Sequence, residues 1–87
     1  MSYSIIFTNT FRKSLKKIDR KQQQIIKDYI LNLKEDPYPH IEKNKNPNLP
    51  TWRTRKGTYR CLLEVNQNTK EIVMMLVAHR KDVYNVK

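Results

Sequence analysis

Glycine is almost missing from this 87-residue chain, where Gly57 stands alone. That scarcity excludes a glycine-rich phosphate loop and argues against a many-turned all-β barrel, because both need several positions that glycine adopts most cheaply. Cysteine is equally scarce. A lone Cys61 makes no internal disulfide, so the core must hold without staples, and a reducing, cytoplasmic setting is expected. No run of about 18 apolar residues occurs, which excludes a membrane-spanning helix. The opening Met1-Ser2-Tyr3-Ser4-Ile5-Ile6-Phe7-Thr8 lacks the basic start and small-residue cleavage site of a secretory signal. Acid is the last shortage: Asp and Glu number 8 against 18 Lys and Arg, a formal net charge of +10. Such a surplus predicts a polyanionic partner, with nucleic acid first and an acidic protein or anionic membrane surface as the other chemistries. At 38% hydrophobic, residues 1–87 suffice for one domain with a modest core.

What is present divides into a helical first half and a strand-rich second half, the pattern of an α+β domain. Ser4 to Phe7 reads as a strand with Tyr3, Ile5 and Phe7 on one face and Ile6 on the other. Asn9 or Thr10 is expected to cap a first helix, whose apolar positions Phe11, Leu15 and Ile18 form a packing stripe. Opposite lie Arg12, Lys13, Lys16, Lys17 and Arg20. Asp19 and Gln22 are spaced as a capping box for a second helix carrying Ile25, Ile26, Tyr29, Ile30 and Leu33 on one face. It should end near Lys34 to Asp36, before Pro37 and Pro39, so that the two helices form an antiparallel hairpin. Residues 37–50 hold all four prolines and read as a connecting loop. Three strands follow, Trp52–Lys56, Tyr59–Asn66 and Glu71–His79, with turns at Gly57 and at Gln67-Asn68-Thr69-Lys70, where Asn68 suits a left-handed backbone. The last strand is apolar on both faces, which places it inside the sheet. The expected architecture is β-α-α-β-β-β, a three-stranded antiparallel meander with the helices on one sheet face.

Strand alternation sorts the charges, because residues two apart share a face. Tyr59, Cys61, Leu63 and Val65 suit the core, so Arg60, Leu62 and Glu64 point away from it. Arg53 and Arg55 share the face opposite Trp52 and Thr54, and should join Arg60 on the uncovered side of the sheet. The segment Arg53-Thr54-Arg55-Lys56-Gly57-Thr58-Tyr59-Arg60 holds four basic residues and no acid, which reads either as a phosphate-binding face or as an ordinary solvated hairpin. A second cluster, His79-Arg80-Lys81-Asp82-Val83-Tyr84, supplies a proton carrier, a phosphate fork and a stacking ring, or is a plain polar tail. The helix stripe either is solvated or holds the protein against RNA. No metal site is expected, since His40 and His79 lie far apart in sequence, and Cys61 reads as a core residue.

Tyr59-Arg60 opening an apolar strand, followed by a hairpin and a strand ending in His79-Arg80-Lys81-Asp82-Val83-Tyr84, resembles the RelE/ParE superfamily of toxin–antitoxin toxins, and more closely its RelE side. The order of strand, helical hairpin and three strands matches over nearly the whole chain. The resemblance implies a ribosome-dependent endoribonuclease that cleaves translated messenger RNA in the A site without a cofactor. It implies that Arg60 stabilises extra charge on the scissile phosphate, that Arg80 lies near the leaving 5′-oxygen, and that Tyr84 stacks on the base and helps activate the 2′-hydroxyl. Arg53 and Arg55 fall where the family often has basic residues touching the RNA backbone, and Lys56, His79 and Lys81 extend that contact. Guanidinium groups do not deprotonate, so Arg53 and Arg55 can clamp charge but cannot act as bases, which leaves Lys56, His79 and Tyr84 as proton carriers. Implied partners are ribosomal and messenger RNA and a RelB-like antitoxin, acidic or amphipathic, with no membrane partner. The same fold also serves ParE-like inhibition of DNA gyrase by binding, and a non-catalytic RNA-binding relic is a third expectation.

Overall fold

The computed structural model describes residues 2–82. Strand β1 (Ser4–Phe7) is followed by helices α1 (Asn9–Lys16) and α2 (Arg20–Asn32), a 3-10 turn at Tyr38–His40, and strands β2 (Glu42–Lys43), β3 (Trp52–Lys56), β4 (Tyr59–Asn66) and β5 (Glu71–His79). The strands form one five-stranded sheet in the order β1-β5-β4-β3-β2. β1 runs parallel to β5 and every other pairing is antiparallel. The expected α+β class holds, and β5 lies inside the sheet. Residues 37–50 are more than a loop, because β2 adds an edge strand through Glu42↔Arg53 and Lys43↔Trp52.

One face of the sheet packs on the helices. Phe11, Ile26, Ile30 and Leu33 meet Cys61, Leu63, Ile72 and Met74 there, all essentially without solvent exposure. Ile26, Ile30 and Leu33 recur at spacings of four and three, as a buried helix stripe requires. Ile25, expected on that stripe, is 36% exposed, because one residue rotates the side chain about 100° around the helix. α2 itself stops at Asn32, with Leu33 as its cap, before the prolines.

The caps differ from the expected ones. Thr8, one residue earlier than Asn9 or Thr10, holds the N-terminus of α1: its hydroxyl accepts from the Phe11 N–H at 3.1 Å and donates to the Met74 carbonyl at 2.8 Å. Asp19 makes no side-chain cap bond on α2; Gln23 reaches back instead and donates to the Ile18 carbonyl at 2.7 Å. In the β4–β5 turn the left-handed residue is Lys70, with φ 58°, while the Asn66 side chain accepts from the Asn68 and Thr69 N–H groups. Gly57, φ 61°, serves the β3–β4 turn as its freedom allows.

A bulge breaks the alternation of β5. Leu62 pairs with Leu76 and Leu63 with Met74, which leaves Met75 as the extra residue. Met74 and Val77 therefore both face the core although three apart. Helix α1 is bolted over this bulge, since Thr8 binds the Met74 carbonyl and the Ser14 hydroxyl accepts from the Val77 N–H at 3.1 Å. Thr8→Ala removes both of its bonds and is expected to cost about 1–2 kcal/mol in urea unfolding, whereas Thr8→Ser, which keeps the hydroxyl, should cost less.

Candidate nucleic-acid interface

The register of β3 and β4 decides which basic side chains meet. Arg55 pairs directly with Arg60, and Arg53 pairs with Leu62. Directly paired residues project to one face, so Arg53, Arg55 and Arg60 share the side opposite the Thr54–Cys61 pair, which faces the core. This is the face the helices leave open. Two guanidinium groups opposed across a ladder repel each other, and an anion between them relieves that repulsion. Arg60 is half-buried and Arg55 exposed.

Arg53 is held differently. Its guanidinium donates to Glu42 Oε2 at 2.9 Å and to Asn44 Oδ1 at 3.0 Å, both on the segment that carries β2. The side chain of Arg53 is 23% exposed against 72% for Glu42. Its charge is thus partly compensated, and it ties the edge strand to the site. Beside it lies a polar cleft of about 320 Å³ lined by His40, Glu42, Arg53, Thr54, Arg55 and Arg60. Glu42, Asn44 and His40 were not among the expected site residues. The only sequence signal for them was Ile41, an apolar residue in a polar loop, which is 8% exposed and anchors the segment to the core.

Other expected residues lie elsewhere. Lys56 pairs with Tyr59, and its ammonium sits 5.5 Å from the centre of the Tyr29 ring on α2, so it belongs to the helix side. His79 pairs with Tyr59 on that same side and meets its ring edge-on at 5.8 Å. Arg80 follows β5 in a turn, and its N–H donates to the Thr58 carbonyl at 2.8 Å. That bond fixes its backbone at the end of the sheet where Arg55 and Arg60 pair. Lys81 is exposed beside it. Tyr84 lies outside the described residues. Arg12, Lys13, Lys16 and Lys17 are exposed on α1, which packs against β5 from the covered side, so the helix stripe and the arginine face are separate surfaces.

Cys61 is buried on the core face, and desolvation pushes its thiol up to about 12 from 9.0. The thiolate is the reactive form, so Cys61 is expected to resist alkylation in the native protein at about pH 8 and to react fully in denaturant, as mass spectrometry would show. Among the described residues no three His, Cys, Asp or Glu side chains gather as a metal centre would need, and no helix is long and apolar enough to cross a membrane.

Comparison with known proteins agrees with this fold. Toxin RelG from Mycobacterium tuberculosis is 27% identical over 85 residues, 97% of this chain and 98% of that protein. The RelBE2 toxin–antitoxin complex from the same species contains a chain that superposes with a TM-score of 0.84 at 25% identity, covering 92% of this chain and 100% of that one. A RelB–RelE antitoxin–toxin complex from Methanococcus jannaschii gives a TM-score of 0.70 at 30% identity, covering 94% and 98%. With residues 5–84 matched by the family model for the ParE toxin of type II toxin–antitoxin systems, the chain belongs to that family within the RelE/ParE superfamily.

Proposed function

We propose that this protein is a cytoplasmic RelE-like toxin that cleaves translated messenger RNA in the ribosomal A site. The observation that carries this reading is the direct opposition of Arg55 and Arg60 on the sheet face away from the helices, with Arg53 beside them. In the proposed reaction the 2′-hydroxyl attacks its own phosphate, giving a 2′,3′-cyclic phosphate and a free 5′-hydroxyl. Charge accumulates on the phosphoryl oxygens in the transition state, where fixed guanidinium donors stabilise it most. Arg60 takes that role, Arg80 attends the leaving 5′-oxygen, and Tyr84 stacks on the base. The exposed α1 stripe, with Lys81, contributes sequence-independent attraction to ribosomal RNA.

An antitoxin partner is part of the same reading, since the M. tuberculosis and M. jannaschii structures are toxin–antitoxin complexes. A groove of about 450 Å³ supports it, with Phe7, Phe11, Leu15 and Leu31 as apolar walls and Arg12, Lys16 and Lys27 as basic ones. An acidic amphipathic helix has the matching chemistry.

A second reading is inhibition of DNA gyrase by binding, favoured by the match to a model of ParE toxins. Expression of the wild type followed by primer extension on translated messages, run beside a gyrase supercoiling assay, separates the two. Breaks within codons and unaltered supercoiling support the nuclease; intact messages with inhibited gyrase support the alternative. RNA binding with neither effect identifies a non-catalytic protein.

A further inference from the structure

The arginine cleft needs a group that can take a proton, and its own walls supply one candidate. Arginine stays protonated in proteins, so Arg53, Arg55 and Arg60 cannot act as bases. Glu42 is engaged by Arg53 at 2.9 Å. Thr54 donates its hydroxyl hydrogen to the His40 carbonyl at 2.7 Å. Lys56 and His79 are not among the residues that line the cleft. Among the residues that line the cleft, that leaves His40, whose neutral imidazole has a ring nitrogen able to accept a proton.

His40 is also held in place. Its N–H donates to the Pro37 carbonyl at 2.9 Å, closing the 3-10 turn. Because Thr54 spends its one hydrogen on the His40 carbonyl, the Tyr29 hydroxyl is the donor in its 2.6 Å bond to Thr54 Oγ1. The Tyr29 ring in turn meets the His40 ring edge-on, 6.5 Å between centres. A chain from α2 through β3 thus fixes the residue that enters the cleft ahead of β2. The ionisable groups around the imidazole are Tyr29 on α2, Lys56 over the Tyr29 ring, Glu42 on β2, and Arg53, Arg55 and Arg60 on the two sheet strands.

Resting on the nuclease reading above, we propose that His40 is the general base of the cleft. Its neutral imidazole takes the 2′-hydroxyl proton as the O2′–P bond forms. The P–O5′ bond breaks, the 5′-oxygen takes a proton from solvent, and the imidazolium then returns its proton to solvent. No oxidation state changes. Thr54 is a positioning residue that acts through His40.

The test measures single-turnover cleavage of a ribosome-bound message across about pH 5 to 8 for the wild type, His40→Gln, Thr54→Val and Tyr84→Phe. The wild-type rate should rise with pH until the base is fully deprotonated. His40→Gln should lose about 10²-fold or more and flatten the rise, the usual worth of a positioned base. Thr54→Val should slow cleavage while keeping the pH dependence, and Tyr84→Phe should keep it too. Since His40 is exposed, its substitution leaves the core intact, and an unchanged urea midpoint verifies this. A His40→Gln protein that cleaves at the wild-type rate, or that slows with an unchanged pH profile, overturns the assignment while the nuclease reading stands. A wild type that leaves the message intact overturns both.

Discussion

Arg60→Ala is expected to lower the rate of message cleavage on the ribosome by roughly 10²–10³, the loss that follows removal of one preorganised donor from a developing oxyanion. The size of the effect follows from placement. Arg60 sits on β4, paired on one side with Arg55 of β3 and on the other with Ala78 of β5, so its backbone is fixed within the sheet. Its Nε is shielded from solvent, where a fixed charge acts more strongly than it does in water. Arg60→Lys keeps the charge but loses the planar fork, so it should recover only part of the rate. Arg53→Ala should have the smaller effect, because Glu42 already compensates that guanidinium and Arg53 mainly secures β2. Quenched-flow cleavage of a programmed ribosome complex measures all three.

Phe11→Ala is expected to have the opposite profile, destroying stability rather than chemistry. Phe11 is fully buried, lies on the α1 face that packs on β5, and meets the Phe7 ring at 5.5 Å between centres. Deleting a buried phenylalanine side chain costs about 3–5 kcal/mol through lost transfer energy and the cavity left behind. A small domain commonly holds only about 5–15 kcal/mol in total, so the variant should be substantially unfolded well before the wild type in a urea titration. Phe11 also walls the apolar groove, so this substitution couples the fold to the partner surface. Phe11→Leu, which refills most of the volume, should recover most of the loss.

Those two residues illustrate how much could be read in the sequence. The bounds of β1, β3, β4 and β5 follow from alternation and turn residues, and the sorting of Arg53, Arg55 and Arg60 away from Cys61 and Leu63 is a period-two argument that the register upholds. The period fails where all residues are alike. Val73 to Val77 is apolar throughout, so nothing in it marks Met75 as the bulge that brings Met74 and Val77 to one face. β2 was invisible because two residues give no period, and its pairing depends on Arg53 reaching Glu42 and Asn44 across the sheet edge. His79 and Lys56 were grouped with the arginines by closeness in sequence. The ladder separates them, because each pairs with Tyr59 and so follows it to the helix side. His40 lies thirteen or more positions from the arginines in the chain, and contacts that sequence spacing does not reveal bring it to their cleft, among them the bond between its carbonyl and Thr54.

The chemistry of the cut ends tests the central claim most directly. A message held on ribosomes and treated with the purified protein should yield an upstream fragment ending in a 2′,3′-cyclic phosphate and a downstream fragment beginning with a 5′-hydroxyl. Mass spectrometry of the two fragments identifies these groups, and both should be lost together with Arg60→Ala. A downstream fragment carrying a 5′-phosphate, or an intact message in the presence of active protein, would contradict phosphate transesterification on the arginine face.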